Sequence, residues 1–315
     1  MASEAVRDRY GKVLARLGES HPEIVVLDAD LSESTKTAVF GKRFPERFFN
    51  MGIAEQNMIG TAAGLAKTGK VPFASTFAIF ATGRAWEQVR QAVAYSAVNV
   101  KIVASHGGVT VGDDGGSHQS IEDLALMRVL PNMVVIVPAD AVEMEKVIEC
   151  ILAYQGPVYV RGARLKFPII YGDDYEFQIG KGTVLREGTD VALVGCGLMV
   201  HHALEAAELL AGEGLSCRVI NMSTIKPLDE ELLVAAAREC GAVVTCEEHL
   251  VTGGLGSAVA ELLAEKCPVP LRRVGVTDTF GISGKPEALL AHFRLMPADI
   301  AAAARGLVAR KGAGR

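Results

Sequence analysis

The sequence predicts an α/β protein built as two doubly wound domains. Three observations predict it: the length, the alternation of short apolar runs with helical patterns, and a break in character near residue 165. At 315 residues the chain is too long for one ordinary core. Its apolar runs are continuous rather than alternating, as in parallel strands covered by helices on both faces. The break divides residues 1–168 from residues 189–315, with 169–188 as linker and lead-in. The first domain is expected to carry a parallel sheet, the smaller second domain a mostly parallel one.

Taken in order, "EIVVLDAD" reads as a strand that ends in acids and a loop. "VPFAST", "VKIVASHG", "MVVIVPAD" and "PVYVRG" repeat the theme. Helical patterns lie between them, among them "AWEQVRQAVAYSA" and "DAVEMEKVIECILAYQ". Asp140 is placed to cap the latter. The stretch "LKFPIIYGDDYEFQIGKGTVLREGTD" is rich in Gly, Pro and charge. A second βα series follows: "VALVGCG", "SCRVIN", "GAVVTCEEH" and "PLRRVGV". The tail "ARKGAGR" is expected to fray.

Composition narrows the function classes. Net charge is -5, with acids and bases interleaved, and no Lys/Arg run carries interleaved aromatics. That pattern speaks against a nucleic-acid partner. No apolar run reaches the length of a membrane span, and the start lacks a signal-peptide core. The six cysteines form no CxxC pair and are expected as buried thiols in a reducing compartment, the cytoplasm.

Three stretches carry candidate chemistry. "SHGGVTVGDDGGSHQSIEDLALMR" leaves the end of a parallel strand, where open α/β sheets bind ligands. Its five glycines, Gly107, Gly108, Gly112, Gly115 and Gly116, are expected to let backbone turn sharply and approach a ligand closely. His106, Asp113, Asp114 and His118 sit among them, residue types suited to proton transfer and hydroxyl recognition. A metal site and a solvated polar loop are the rival readings; HxH and HExxH spacings are absent. "STFAIFATGRAWEQV" supplies Phe77 and Phe80, either core residues or a flat wall for a ring. "GIAEQN" places Glu55 at the head of an apolar segment, where a helix dipole alone would favour an acid. "VALVGCGLMV" is similar to a dinucleotide turn, but Val200 stands where the third glycine belongs.

At these motifs the sequence resembles the transketolase family. "DADLSES", "MGIAEQN", "STFAIF", "SHGGVTVGDDGGSHQ", "LPNMVVIVPAD", "MSTIKPLDEELL" and "TFGISGKPEALLAHF" match in order and span nearly the whole chain. The resemblance covers the second half of a full-length transketolase: the pyrimidine-binding domain (1–168) and the C-terminal domain (189–315). The family's diphosphate-binding GDG motif does not occur. The resemblance therefore implies the C-terminal subunit of a split, thiamine-diphosphate-dependent transketolase. Its partner would be an N-terminal subunit bringing the diphosphate site and Mg²⁺, and no metal ligands are expected in this chain. The implied assembly is two copies of each subunit. "IKPLDEELL" and the C-terminal βα series are then expected to supply dimer contacts and bulk.

The resemblance also implies roles. Glu55 would contact the aminopyrimidine ring of the cofactor, and Phe77 and Phe80 would form its pocket. Asp114 would recognise the C2 hydroxyl of the donor sugar. His106 and His118 would contact substrate hydroxyls, with His118 the proton carrier. Arg7, Ser34 and Arg164 would hold the sugar phosphate, although Arg164 also reads as a linker charge. Other readings keep the fold and change the function. They are the same half of a deoxyxylulose-phosphate-synthase-like enzyme, the beta subunit of a 2-oxoacid dehydrogenase, and a non-catalytic regulatory protein.

Overall fold

The computed structural model describes residues 2–313 and contains two α/β domains. The strands of the first half are β1 (Ser3–Ala5), β2 (Ile24–Asp28), β3 (Phe48–Asn50), β4 (Val71–Ser75), β5 (Lys101–Ala104), β6 (Val134–Ile136), β7 (Val158–Arg161) and β8 (Lys166–Pro168). The second half holds β9 (Thr183–Arg186), β10 (Val191–Gly195), β11 (Cys217–Asn221), β12 (Thr224–Lys226), β13 (Val243–Leu250) and β14 (Leu271–Val276). The main sheet runs β12-β6-β7-β5-β4-β2-β3, and the second β14-β13-β10-β11-β9. Strands β1 and β8 form a small antiparallel pair.

The continuous apolar runs form the parallel strands, as their composition requires. Strands β2 and β4 are buried at every residue, and helices cover both faces of the sheet. Two strands depart from the parallel pattern. β9 lies inside the Gly- and Pro-rich stretch and pairs antiparallel with β11. β12 belongs to the second half of the chain yet pairs antiparallel with β6 at the edge of the first sheet. It gives backbone partners to an edge strand that would otherwise be left open. The opening of "IKPLDEELL" thus closes a sheet edge of its own chain.

The domains are also joined through polar groups. Asp140 caps the helix Ala141–Ala153, its Oδ1 accepting from the Glu143 amide at 2.8 Å. Its Oδ2 accepts from the Ile170 and Tyr171 amides, tying down the chain that leaves the first domain. Buried Glu143 accepts from Asn221 of β11 at 3.0 Å and from the Tyr175 hydroxyl at 2.8 Å. Burial raises the pKa of Glu143, and these donors oppose that. All six cysteines are free thiols, four of them buried. The segment expected as a helix over 85–97 is helical, but wide π-type turns occupy Phe80–Arg84 and Val89–Tyr95. The tail expected to fray continues a helix to Ala313, and its last two residues lie outside the described residues. Among the described residues no helix is long and apolar enough to cross a membrane.

Candidate active site

The candidate residues lie beyond the carboxyl ends of the main-sheet strands. Ser34 follows β2, Glu55 follows β3, and Phe77 and Phe80 follow β4. His106, Asp114 and His118 follow β5, and Arg164 follows β7. Arg7 comes from the helix Val6–Leu17, directly after β1. Parallel pairing of neighbouring strands puts these loops at one end of the sheet.

Glu55 opens the helix Glu55–Lys67, whose buried residues are Glu55, Met58, Ile59, Ala62 and Ala63. That spacing is a single helical stripe, so the acid is part of the buried face. It is only 4% exposed. A carboxylate taken out of water needs a partner. Here Arg84 donates from Nη1 to Oε1 at 3.0 Å. The niche around Glu55 is therefore not purely apolar. The Arg84 guanidinium also lies 4.0 Å over the centroid of Phe80, and its backbone carbonyl accepts from Gln56 at 3.1 Å.

The aromatic side chains continue this wall. Phe77 and Phe80 stack at 5.8 Å with planes 15° apart. Phe77 stacks at 3.7 Å on His106, and the edge of His118 meets Phe80 at 5.4 Å. His106 holds a left-handed backbone, φ 61, and its Nδ1 is 2.8 Å from Ser105 Oγ. Burial lowers the His106 pKa to about 3, and the charges of Arg7, Arg164 and His118 add to the effect. His106 is thus neutral near pH 7, able to donate or accept a hydrogen bond. His118 is half-buried, with Nδ1 3.0 Å from Ser117 Oγ.

Arg7 and Arg164 stand beyond the imidazoles. Arg7 donates to the Ser34 carbonyl at 3.0 Å, so Ser34 enters through its backbone. The Nε of Arg7 is buried without a partner among the described residues. Burial lowers the Arg7 pKa; Asp8 opposes this, and Arg164 adds to it. Arg164 donates to the Val111 carbonyl and lies 3.8 Å from Asp114 Oδ2. Two guanidiniums that act on each other's charge, one with an unused donor, suit a dianion.

Glu55, Arg84, Phe80, Phe77 and the two imidazoles thus form a contact chain, and the charges of Arg7 and Arg164 act on His106 at its end. Arg84 was not foreseen. Its spacing of four from Phe80 on a helical turn was a legible sign of the cation over the ring. Its pairing with Glu55, 29 positions away, had no sequence signal. The loop glycines also differ from expectation. A Cβ on Gly107 would strike Arg161, and one on Gly108 would strike Glu248 of β13. Their close neighbour is protein, not an open ligand space.

The arrangement was compared with known proteins. The sequence pattern of the transketolase pyrimidine-binding domain matches residues 3–168, and that of the transketolase C-terminal domain matches residues 180–300. A putative transketolase C-terminal section from Methanocaldococcus jannaschii is 52% identical over 301 residues, covering 95% of this chain and 94% of that protein. A 6-deoxy-6-sulfo-D-fructose transketolase subunit from a Clostridium species is 45% identical, covering 97% of this chain and 95% of its own length. Human transketolase is 40% identical over 97% of this chain, which spans 49% of that protein. A solved split-gene transketolase, described as an inactive beta4 tetramer, superposes with a TM-score of 0.90 at 53% identity. It covers 98% of this chain and 99% of its own. With both domain patterns matched in order, and relatives this similar matched nearly end to end, the chain belongs to the transketolase family.

Proposed function

We propose that this chain is the C-terminal subunit of a thiamine-diphosphate-dependent transketolase, moving a two-carbon ketol unit from a ketose phosphate to an aldose phosphate. The observation that carries the reading is the contact chain from buried Glu55 through Arg84 and stacked Phe80 and Phe77 to His106, on which the charges of Arg7 and Arg164 act. One end suits a planar nitrogen ring and the other a phosphate.

The Arg84 guanidinium is a useful stand-in for testing the fit of the cofactor. It is planar and donates hydrogen bonds, and it meets both the Phe80 face and the Glu55 carboxylate. An aminopyrimidine shares those properties, so the residues fit it. Glu55, Phe77 and Phe80 would hold that ring. When bound, thiamine diphosphate supplies the electron sink for the transferred fragment. Glu55 shares a proton with the ring nitrogen across their hydrogen bond. Phe77 and Phe80 fix the ring plane. Arg7 and Arg164 bind the sugar phosphate, which leaves the sugar carbons beside the imidazoles. Neutral His106 orients a hydroxyl, Asp114 accepts one, and His118 moves a proton at its ring nitrogen.

The diphosphate and its Mg²⁺ are assigned to a partner N-terminal subunit, because no GDG string occurs here. Among the described residues no three His, Cys, Asp or Glu side chains gather as a metal cage. A two-plus-two assembly fits the outer face of the helix Glu55–Lys67. Gly60 and Gly64 have open space where a Cβ would sit, and Ile53 nearby is 75% exposed. A second copy could pack closely there.

The test mixes the purified chain with an N-terminal transketolase section, thiamine diphosphate and Mg²⁺. Transfer from a ketose phosphate to an aldose phosphate is expected from the mixture. Failure on every ketose phosphate tried, or transfer from pyruvate instead, would overturn the assignment.

A further inference from the structure

The substrate loop after β5 is held by the second domain. Glu248 of β13 is 6% exposed, and its Oε1 accepts from the Thr110 amide. The Leu250 amide donates to the Ile121 carbonyl at 2.7 Å. Arg161 donates from Nη2 to the carbonyls of Ser120 and Glu248, bridging the two domains.

A segment without regular structure between β14 and the helix Pro286–His292 then runs across the loop. Ser283 Oγ donates to the Asp113 carbonyl at 3.0 Å. Gln119 Nε2 donates to the Ile282 carbonyl at 2.8 Å and to the Val109 carbonyl at 3.2 Å. The Gln119 side chain thus ties both ends of the contact together.

Glycine makes this fit possible. A Cβ on Gly115, φ 74, would lie 2.4 Å from Ser283 Oγ, and one on Gly116 would lie 2.4 Å from the Gly281 carbonyl oxygen. On the other side, a Cβ on Gly281 would fall 1.7 Å from Gln119 Oε1. Gly112 meets Gly284 and Pro286 just beyond the strap, and Gly115 and Gly116 face the strap itself. Asp114 and His118 flank the last two.

We infer that the segment Gly281–Ser283 of the second domain is a positioning strap that sets the substrate loop, with Gln119 and Ser283 as positioning residues for Asp114 and His118. The inference rests on the ketol-transfer reading for its kinetic readout. It departs from the expectation that the second domain adds only bulk and dimer contacts. The strap touches the sugar-recognition side of the loop, not Glu55 or Phe80. Loosening it should impair use of the donor and spare the cofactor.

The experiment uses the reconstituted complex and compares Gly281→Ala, Ser283→Ala, Gln119→Ala and the double variant Gly281→Ala/Gln119→Ala. Ser283→Ala removes one hydrogen bond and should raise the KM of the ketose phosphate about 2–10-fold. Gly281→Ala forces the strap off Gln119 and should raise it more, on the order of 10–100-fold, as displaced binding groups do. In both, the affinity for thiamine diphosphate should change less than about 2-fold, while kcat falls to the extent that His118 is displaced. Gln119→Ala alone should raise the KM about 2–10-fold through its lost hydrogen bonds, and because trimming Gln119 makes room for the new methyl, the double variant should recover from the Gly281→Ala loss to that level and no further. Amide hydrogen exchange over residues 112–118 gives a readout independent of turnover, and Gly281→Ala should quicken it at least several-fold. Unchanged KM and exchange in Gly281→Ala would overturn the strap, as would equal losses in donor and cofactor binding without rescue. An inactive wild-type complex would overturn the transketolase reading, and the exchange result would still decide the strap.

Discussion

Glu55 meets Arg84 at 3.0 Å, and the same guanidinium covers Phe80 at 4.0 Å. The pair satisfies a buried carboxylate while Arg84 itself stays half exposed. A ring seated on Phe80 and Glu55 has to displace that guanidinium. A half-exposed ion pair and a cation over a ring together contribute roughly 1–2 kcal/mol. Arg84→Ala should therefore bind thiamine diphosphate about 5–30-fold more tightly in the reconstituted complex. Trp86, the one tryptophan in the sequence, lies two positions away and can report the titration by fluorescence. Unchanged or weaker binding would mean that Arg84 does not compete with the ring. Glu55→Gln keeps the shape but removes the acid, and should lower kcat about 10²–10⁴-fold with unchanged circular dichroism. A normal rate in that variant would remove Glu55 from the chemistry. His106 sets a pH dependence of stability. Its pKa is about 3 in the fold and ordinarily 6.5, so between those values the unfolded chain binds the extra proton. Stability then falls as pH drops below 6.5, by roughly 2 kcal/mol at pH 5. His106→Asn, which tolerates the left-handed backbone, should flatten that part of the denaturation profile. An identical pH profile in the variant would show that another group is responsible.

At the scale of elements, the main sheet was largely legible because buried parallel strands are continuous apolar runs. "EIVVLDAD", "VPFAST" and "PVYVRG" contain β2, β4 and β7. The Asp140 cap was legible for a similar reason, since capping is local. β12 was not, because its partner β6 is about 90 positions earlier in the chain. The loop after β5 was found by its residues, and the sharp turns expected of its glycines hold at Gly108, Gly112 and Gly115, but the side chains that crowd those glycines were not legible. Their purpose depends on Arg161, Glu248 and the strap, none of them near in sequence. The same loop holds one side of the proposed phosphate end, where Arg164 donates to the Val111 carbonyl. Losing a charge-assisted contact there should cost about 1.5–3 kcal/mol of binding. Arg164→Ala should raise the KM of a phosphorylated donor about 10–100-fold and leave an unphosphorylated ketose nearly unaffected. Equal losses on both donors would assign Arg164 to folding instead of phosphate binding.

At the scale of the molecule, two domains share one polar seam. Asp140, Glu143, Asn221, Tyr171 and Tyr175 join them on one side. Glu248, Arg161 and the strap join them at the loop. The residues of the candidate site were recognisable from short motifs, whereas their dependence on the second domain was visible only in three dimensions. The chain spans about half the length of human transketolase. In the proposed function the cofactor is divided between polypeptides, its ring on Glu55 and Phe80 and its diphosphate on a partner. The most direct measurement is ketol transfer by each purified subunit alone and by the mixture, with thiamine diphosphate and Mg²⁺ present throughout. The account predicts no transfer by either subunit alone and transfer by the mixture. Transfer by this chain alone, or an inactive mixture that has assembled and bound cofactor, would contradict it.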